Sequence, residues 1–192
     1  MSPRLRSIVA AFVVLLMLSA CTPADPMPTA TPTPKPTFQC TPIFSGDVYG
    51  CDQSEVEELA AERARYDEAA TLYEGVTRQI EDLLAANGEI TPDLEGELSG
   101  DYLDEVTASL TRFASAKAVV SGHRTLEWAQ PSSRRNKGSD LAIEVCSSPG
   151  DFSMEIDGTA APRVFIRELV FLMMDDGTLR LDSSKAAEVD SC

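Results

Sequence analysis

The sequence predicts an α+β domain in which three helices precede an antiparallel sheet. Three observations carry this expectation. Apolar side chains recur at helical spacing over residues 54–87. After Lys117 the period falls to two, the spacing of a strand with one buried face. Asp-Gly pairs at 157–158 and 176–177 then mark tight reversals between strands. The segment 39–192 holds 154 residues, enough for a single domain to bury a real core.

The elements follow in order. Ser54 with Glu57 three residues on reads as a capping box opening the first helix. Leu59, Tyr66, Tyr73 and Ile80 recur every seven residues, and Val56, Ala70, Val76, Leu83 and Leu84 widen the stripe. Glu55, Glu58 and Glu62 crowd the outer face, and Glu74–Arg78 is an i,i+4 pair in the favourable order. Asn87-Gly88 stops the helix. Thr91-Pro92 supplies an N-cap and an N1 proline for a short second helix. A third begins near Asp101 and buries Leu103, Val106, Leu110 and Phe113. Val119, Val120, Leu126 and Trp128 then form one strand, bent at Gly122. Leu141, Ile143 and Val145 alternate with Ala142, Glu144 and Cys146, and Phe152, Met154 and Ile156 share a face. Residues 163–174 are the most apolar stretch, continuous from Leu169 as in a strand covered on both faces. Asp176-Gly177 leads by a hairpin to Leu179 and Leu181.

Ahead of this domain lie two segments of different character. Residues 1–20 carry Arg4 and Arg6, then a charge-free run over 8–18 that falls short of the roughly 20 apolar residues needed to span a bilayer. Leu5 splits the arginines, which argues against a twin-arginine signal. The run ends in Leu18-Ser19-Ala20-Cys21, which resembles the bacterial lipobox. That resemblance implies a lipoprotein signal peptide over 1–20, cleavage before Cys21, and a diacylglyceryl group on its thiol. A second acyl chain on the new amine would make the anchor stable, at about 0.8 kcal/mol per buried methylene. Residues 21–38 are the lipidated cysteine and a tether. Over 22–37, alternating Thr and Pro favour extended polyproline II and can reach on the order of 50 Å. The threonines are candidates for O-linked sugars.

Charge and cysteine content narrow the function. Removing 1–20 takes away two arginines and no acid, so the net charge falls from −15 to −17. That argues against nucleic acid and against direct adhesion to anionic headgroups. The expected address is extracytoplasmic, on the outer face of the cell membrane, held there through Cys21. Cys40, Cys51, Cys146 and Cys192 remain as an even set for an oxidising compartment. They allow three pairings. Cys40–Cys51 and Cys146–Cys192 are favoured, because the first flanks a short Gly-containing loop and the second pins the chain end to a strand.

A long first helix, a short second, and Gly100-Asp101-Tyr102-Leu103 opening a third, before a strand-rich half, resemble the NTF2-like, or SnoaL-like, cone fold. The likeness is strongest to its lipid-anchored actinobacterial-type members, over about residues 52–192. In those a strand ends in Cys and a last Cys closes the chain, parts taken here by Ala142-Ile143-Glu144-Val145-Cys146 and Cys192. The resemblance implies three N-terminal helices packed on one curved antiparallel sheet around a cavity, where enzymatic relatives keep a carboxylate base and a polar partner.

Candidate residues for such a cavity are Asp101, Tyr102 and His123. Imidazole titrates near neutrality, but no nucleophile or carboxylate spacing accompanies His123, and a rim histidine is the plainer reading. Asp101 stands where an N-capping acid belongs. Tyr66, Tyr73 and Tyr102 fit core positions, and Glu144 and Glu168 fit a solvated sheet face. The cationic loop Ser132-Ser133-Arg134-Arg135-Asn136-Lys137-Gly138 reads as a hairpin tip. Asp175, Asp176 and Asp182 lack the spacing of a calcium loop. No phosphate loop, dinucleotide fingerprint or serine elbow occurs, so no catalytic residue, cofactor or metal is assigned. The sequence therefore points to a lipid-anchored surface module that binds a small molecule or an envelope protein. The alternative is a small isomerase- or hydrolase-type enzyme acting in the cavity.

Overall fold

A computed structural model describes residues 37–192. The expected signal segment, Cys21 and the tether up to residue 36 lie outside the described residues. Strands β1 (Phe38–Cys40) and β2 (Tyr49–Cys51) form a small hairpin closed by the Cys40–Cys51 disulfide. Helix α1 (Gln53–Ala86) follows directly and runs for 34 residues. Its capping box is Asp52 with Glu55, two residues earlier than Ser54 with Glu57. The Asp52 carboxylate accepts from the backbone N–H of Ser54 and Glu55, while the Asp52 N–H donates to Glu55. Asn87 takes the left-handed conformation that ends the helix, with φ of 50°.

Helix α2 (Pro92–Glu97) starts at Pro92 with the Thr91 hydroxyl accepting from the Leu94 N–H. Helix α3 (Gly100–Ser115) buries Tyr102, Val106 and Leu110 at i, i+4 and i+8, so one face turns to the sheet. Seven more strands complete the chain: β3 (Val119–Ser121), β4 (Thr125–Pro131), β5 (Leu141–Ser148), β6 (Ser153–Ile156), β7 (Thr159–Ala160), β8 (Phe165–Asp175) and β9 (Thr178–Val189).

The α+β class holds, but three helices on one curved sheet do not form. The dominant α1 and the shorter α2 and α3 meet three separate antiparallel sheets, which contain nine strands among the described residues. The sheets have strand orders β1-β2, β3-β6-β7 and β4-β5-β8-β9. The cone arrangement implied by the NTF2-like resemblance is overturned with them. Gly122 shows one cause. Its φ of +71° turns the chain sharply, so residues expected as one bent strand divide between two sheets. β3 pairs with β6, whereas β4 pairs with β5. A side chain at 122 would collide with the backbone of Asp151, which closes that corner from the other side.

The four-stranded sheet supports the core. Leu94 and Leu98 near α2, Val76 of α1, and Ile143, Val145, Val170, Leu172 and Leu181 of the sheet are all essentially inaccessible. Each such side chain contributes roughly 1.5–3 kcal/mol relative to exposure. On the outer face, Trp128, Cys146 and Arg167 stand in register across β4, β5 and β8. The Arg167 guanidinium covers the Trp128 ring, whose N–H donates to the Cys192 carbonyl. The Cys146–Cys192 disulfide seals this row and buries Cys146 on the outer face of β5.

Candidate functional site

Residue parity on β8 builds the site. Glu168 shares the inward face with Ile166, Val170 and Leu172, and stands in register between Val145 of β5 and Ala186 of β9. Opposite it, α1 places Tyr73, Thr77 and Glu81 at successive i+4 positions, one helical line. α3 contributes Tyr102, Glu105, Val106, Ser109 and Phe113. These residues surround a cavity of about 340 Å³ between the two helices and the sheet, with Arg124 and Phe152 in its wall.

The Glu168 carboxyl is the central polar group. Only 9% of the residue is exposed, and the Tyr73 hydroxyl donates to it at 2.7 Å, with Ser184 as a second hydroxyl partner. Burial pushes its pKa up, and the nearby negative charge of Glu105 adds to that, against the two hydroxyl bonds. Burial also drives the phenols of Tyr73 and Tyr102 well above their ordinary range, with the Glu168 charge as the next cause. Both tyrosines are therefore neutral donors at physiological pH.

Glu81 forms a second buried carboxyl. The backbone N–H of Arg124 reaches its two oxygens at 3.3 and 3.2 Å, and His123 Nδ1 lies 3.3 Å away. Burial raises its pKa in spite of these contacts. His123 also lies 3.6 Å from Asp82 through Nε2, and its own backbone N–H donates to Asp151 at 2.7 Å. Donation from that N–H holds the Asp151 carboxyl below its ordinary range. The Arg124 guanidinium is committed elsewhere: it stacks 4.8 Å from the Phe152 centroid and donates to the Val164 carbonyl at 3.1 Å.

The sequence candidates separate. Tyr102 lines the cavity. His123 touches it only through Glu81, with 43% of its side chain exposed. Asp101 is exposed and lies with Asp104, Glu105, Ser183 and Ser184 in an adjoining depression; the helix cap falls on Ser99 instead. Tyr66 packs edge-on against Phe44, away from this cavity. Glu144 pairs with Arg167 at 2.8 Å on the outer sheet face, as a solvated-face reading expects. Glu168, read the same way, turns inward. Among the described residues, no three His, Cys, Asp or Glu side chains converge as ligands for a metal ion.

Sequence reasoning missed Glu81 and misplaced Glu168. A usable signal existed for both. Glu168 has the parity of Val170 and Leu172 within an apolar run, and Glu81 continues the line Tyr73–Thr77 on the helix face that carries the buried stripe. An α+β domain with an open, carboxyl-bearing cavity between its helices and sheet is the class that fold and site define. No family model matches the chain, and no curated protein matches its sequence.

Proposed function

We propose that this protein is a lipid-anchored surface module, held through Cys21, whose domain binds a small molecule in the cavity without transforming it. One observation carries the reading: a cavity of ligand size contains a buried, hydrogen-bonded carboxyl and apolar walls. Pockets of this kind bind by apolar contact and orient their occupant with a few polar groups. The segment 1–38 supports display outside the cell, and the two disulfides suit an oxidising compartment. Native mass spectrometry of the protein solubilised from its own membrane tests this. A stoichiometric non-covalent adduct is expected, lost when Ala186→Phe fills the cavity. An adduct-free protein overturns the reading.

The Glu168–Tyr73 pair favours a second reading, an isomerase- or hydrolase-type enzyme. A buried carboxyl with raised pKa, hydrogen-bonded to a phenol, is better suited to proton transfer than an ordinary surface carboxylate. Recovery of the bound molecule chemically changed would select this reading over the first.

A further inference from the structure

The inventory of charge around the cavity is one-sided. Glu81, Glu105 and Glu168 line it, against the single cation of Arg124. Arg124 is held over Phe152 and bonded to Val164, and Glu81 is met by Arg124 N–H and His123. Glu168 differs. Among the described residues it pairs with no cationic side chain, and its partners are the neutral hydroxyls of Tyr73 and Ser184. Tyr102 lines the same space with 8% exposure, and its hydroxyl makes no hydrogen bond among the described residues.

Aromatic rings complete the wall. Tyr73, Tyr102, Phe113 and Phe152 face this volume, and the Phe152 ring already receives one cation, the Arg124 guanidinium. A ring face attracts a positive charge within about 6 Å through its quadrupole. Outside, Asp101, Asp104 and Glu105 form an acidic depression that shares Glu105 and Ser184 with the cavity. That arrangement concentrates cations at the entrance.

We propose that the cavity selects a small organic ammonium ion, with its charged nitrogen against Glu168 and its apolar body among the rings of α1 and α3. This rests on the binding reading above and names the chemistry of the occupant. An apolar body matches Ile80, Leu84, Val106 and Ile166 in the wall. The Tyr102 hydroxyl, left open by the protein, accepts from the ammonium. An entering cation also stabilises the ionised form of Glu168. Other titratable groups around Glu168 are Tyr73 and Glu81 on α1, Glu105 and Tyr102 on α3, and Arg124 in the wall. Of these, the tyrosines stay protonated at pH 6.

The experiment titrates the detergent-solubilised full chain with 3-phenylpropylammonium, 3-phenylpropanol and 3-phenylpropionate at pH 6. The ammonium is expected to bind about tenfold tighter than the alcohol, the scale of one desolvated cation–carboxylate and ring contact. The carboxylate binds weakest. Glu168→Gln abolishes the preference while retaining alcohol binding. Glu105→Gln, on an exposed helix position, narrows the preference without affecting folding. Alcohol or carboxylate binding as tight as the ammonium overturns the ammonium assignment and leaves the cavity reading standing. Absence of ammonium binding overturns the assignment too, and if the native adduct is also absent, the binding reading falls with it.

Discussion

At the residue scale, Glu168 concentrates the consequences of burial. Its folded-state pKa is raised above the ordinary value of 4.5, as is that of Glu81. A raised carboxyl favours folding in the protonated form. Its stabilising contribution is therefore full below pH about 4.5 and is lost as pH rises through the higher folded value. Glu168→Gln keeps an acceptor for the Tyr73 hydroxyl but cannot ionise. We expect it to raise the melting temperature at pH 8, to leave it nearly unchanged at pH 4, and to flatten the profile between. A variant that tracks wild type across this range would show that Glu168 is not held in a desolvated site. Parity alone could have placed this side chain inward. What it could not supply was the hydroxyl partner, because Tyr73 lies 95 residues away in sequence.

At the element scale, local signals located the helices and the hairpin well. Thr91-Pro92, Asn87 and Asp176-Gly177 act through their own backbone preferences, so their turns form where the residues stand. The number of sheets was not legible. Whether Val119–Ser121 continues into Thr125–Pro131 depends on which partner each finds, and Gly122 permits either outcome. One disulfide closes the β1–β2 hairpin and the other ties the chain end to β5. Cys146–Cys192 closes a separation of 46 residues and Cys40–Cys51 one of 11. The chain-entropy relation puts their contributions at about 4 and about 3 kcal/mol. Paired replacement of each by Ala, followed by denaturant unfolding, should show the larger loss for Cys146 and Cys192. The reverse order would mean that the β1–β2 hairpin anchors α1 more strongly than loop entropy allows.

At the scale of the whole molecule, the described domain contains no helix long and apolar enough to cross a membrane. The proposed attachment is through a lipid on Cys21. Cys21→Ser should move the protein from the membrane fraction to the medium or soluble extract, while the melting temperature of the domain stays within about 1 °C of wild type. Fractionation with intact-mass measurement checks both the release and the lost lipid mass. Retention of the Cys21→Ser protein in the membrane, with no added lipid on wild type, would sink the anchor. An acidic domain on a Pro/Thr-rich spacer would be repelled by anionic headgroups, which suits a role facing outward.

Composition and short-range pattern by themselves determined the α+β class, the long helix with its stop, the β8–β9 hairpin and the two cysteine pairings. These depend on backbone preference and on the alternation of apolar side chains, which are local properties. Only the tertiary structure decided that three sheets form, that Glu168 and Glu81 face a cavity, and that Asp101 and His123 stay outside it. Those outcomes depend on contacts between residues tens of positions apart. The partner that desolvates a carboxyl or satisfies it lies on another element, and its position is set by packing of the whole core.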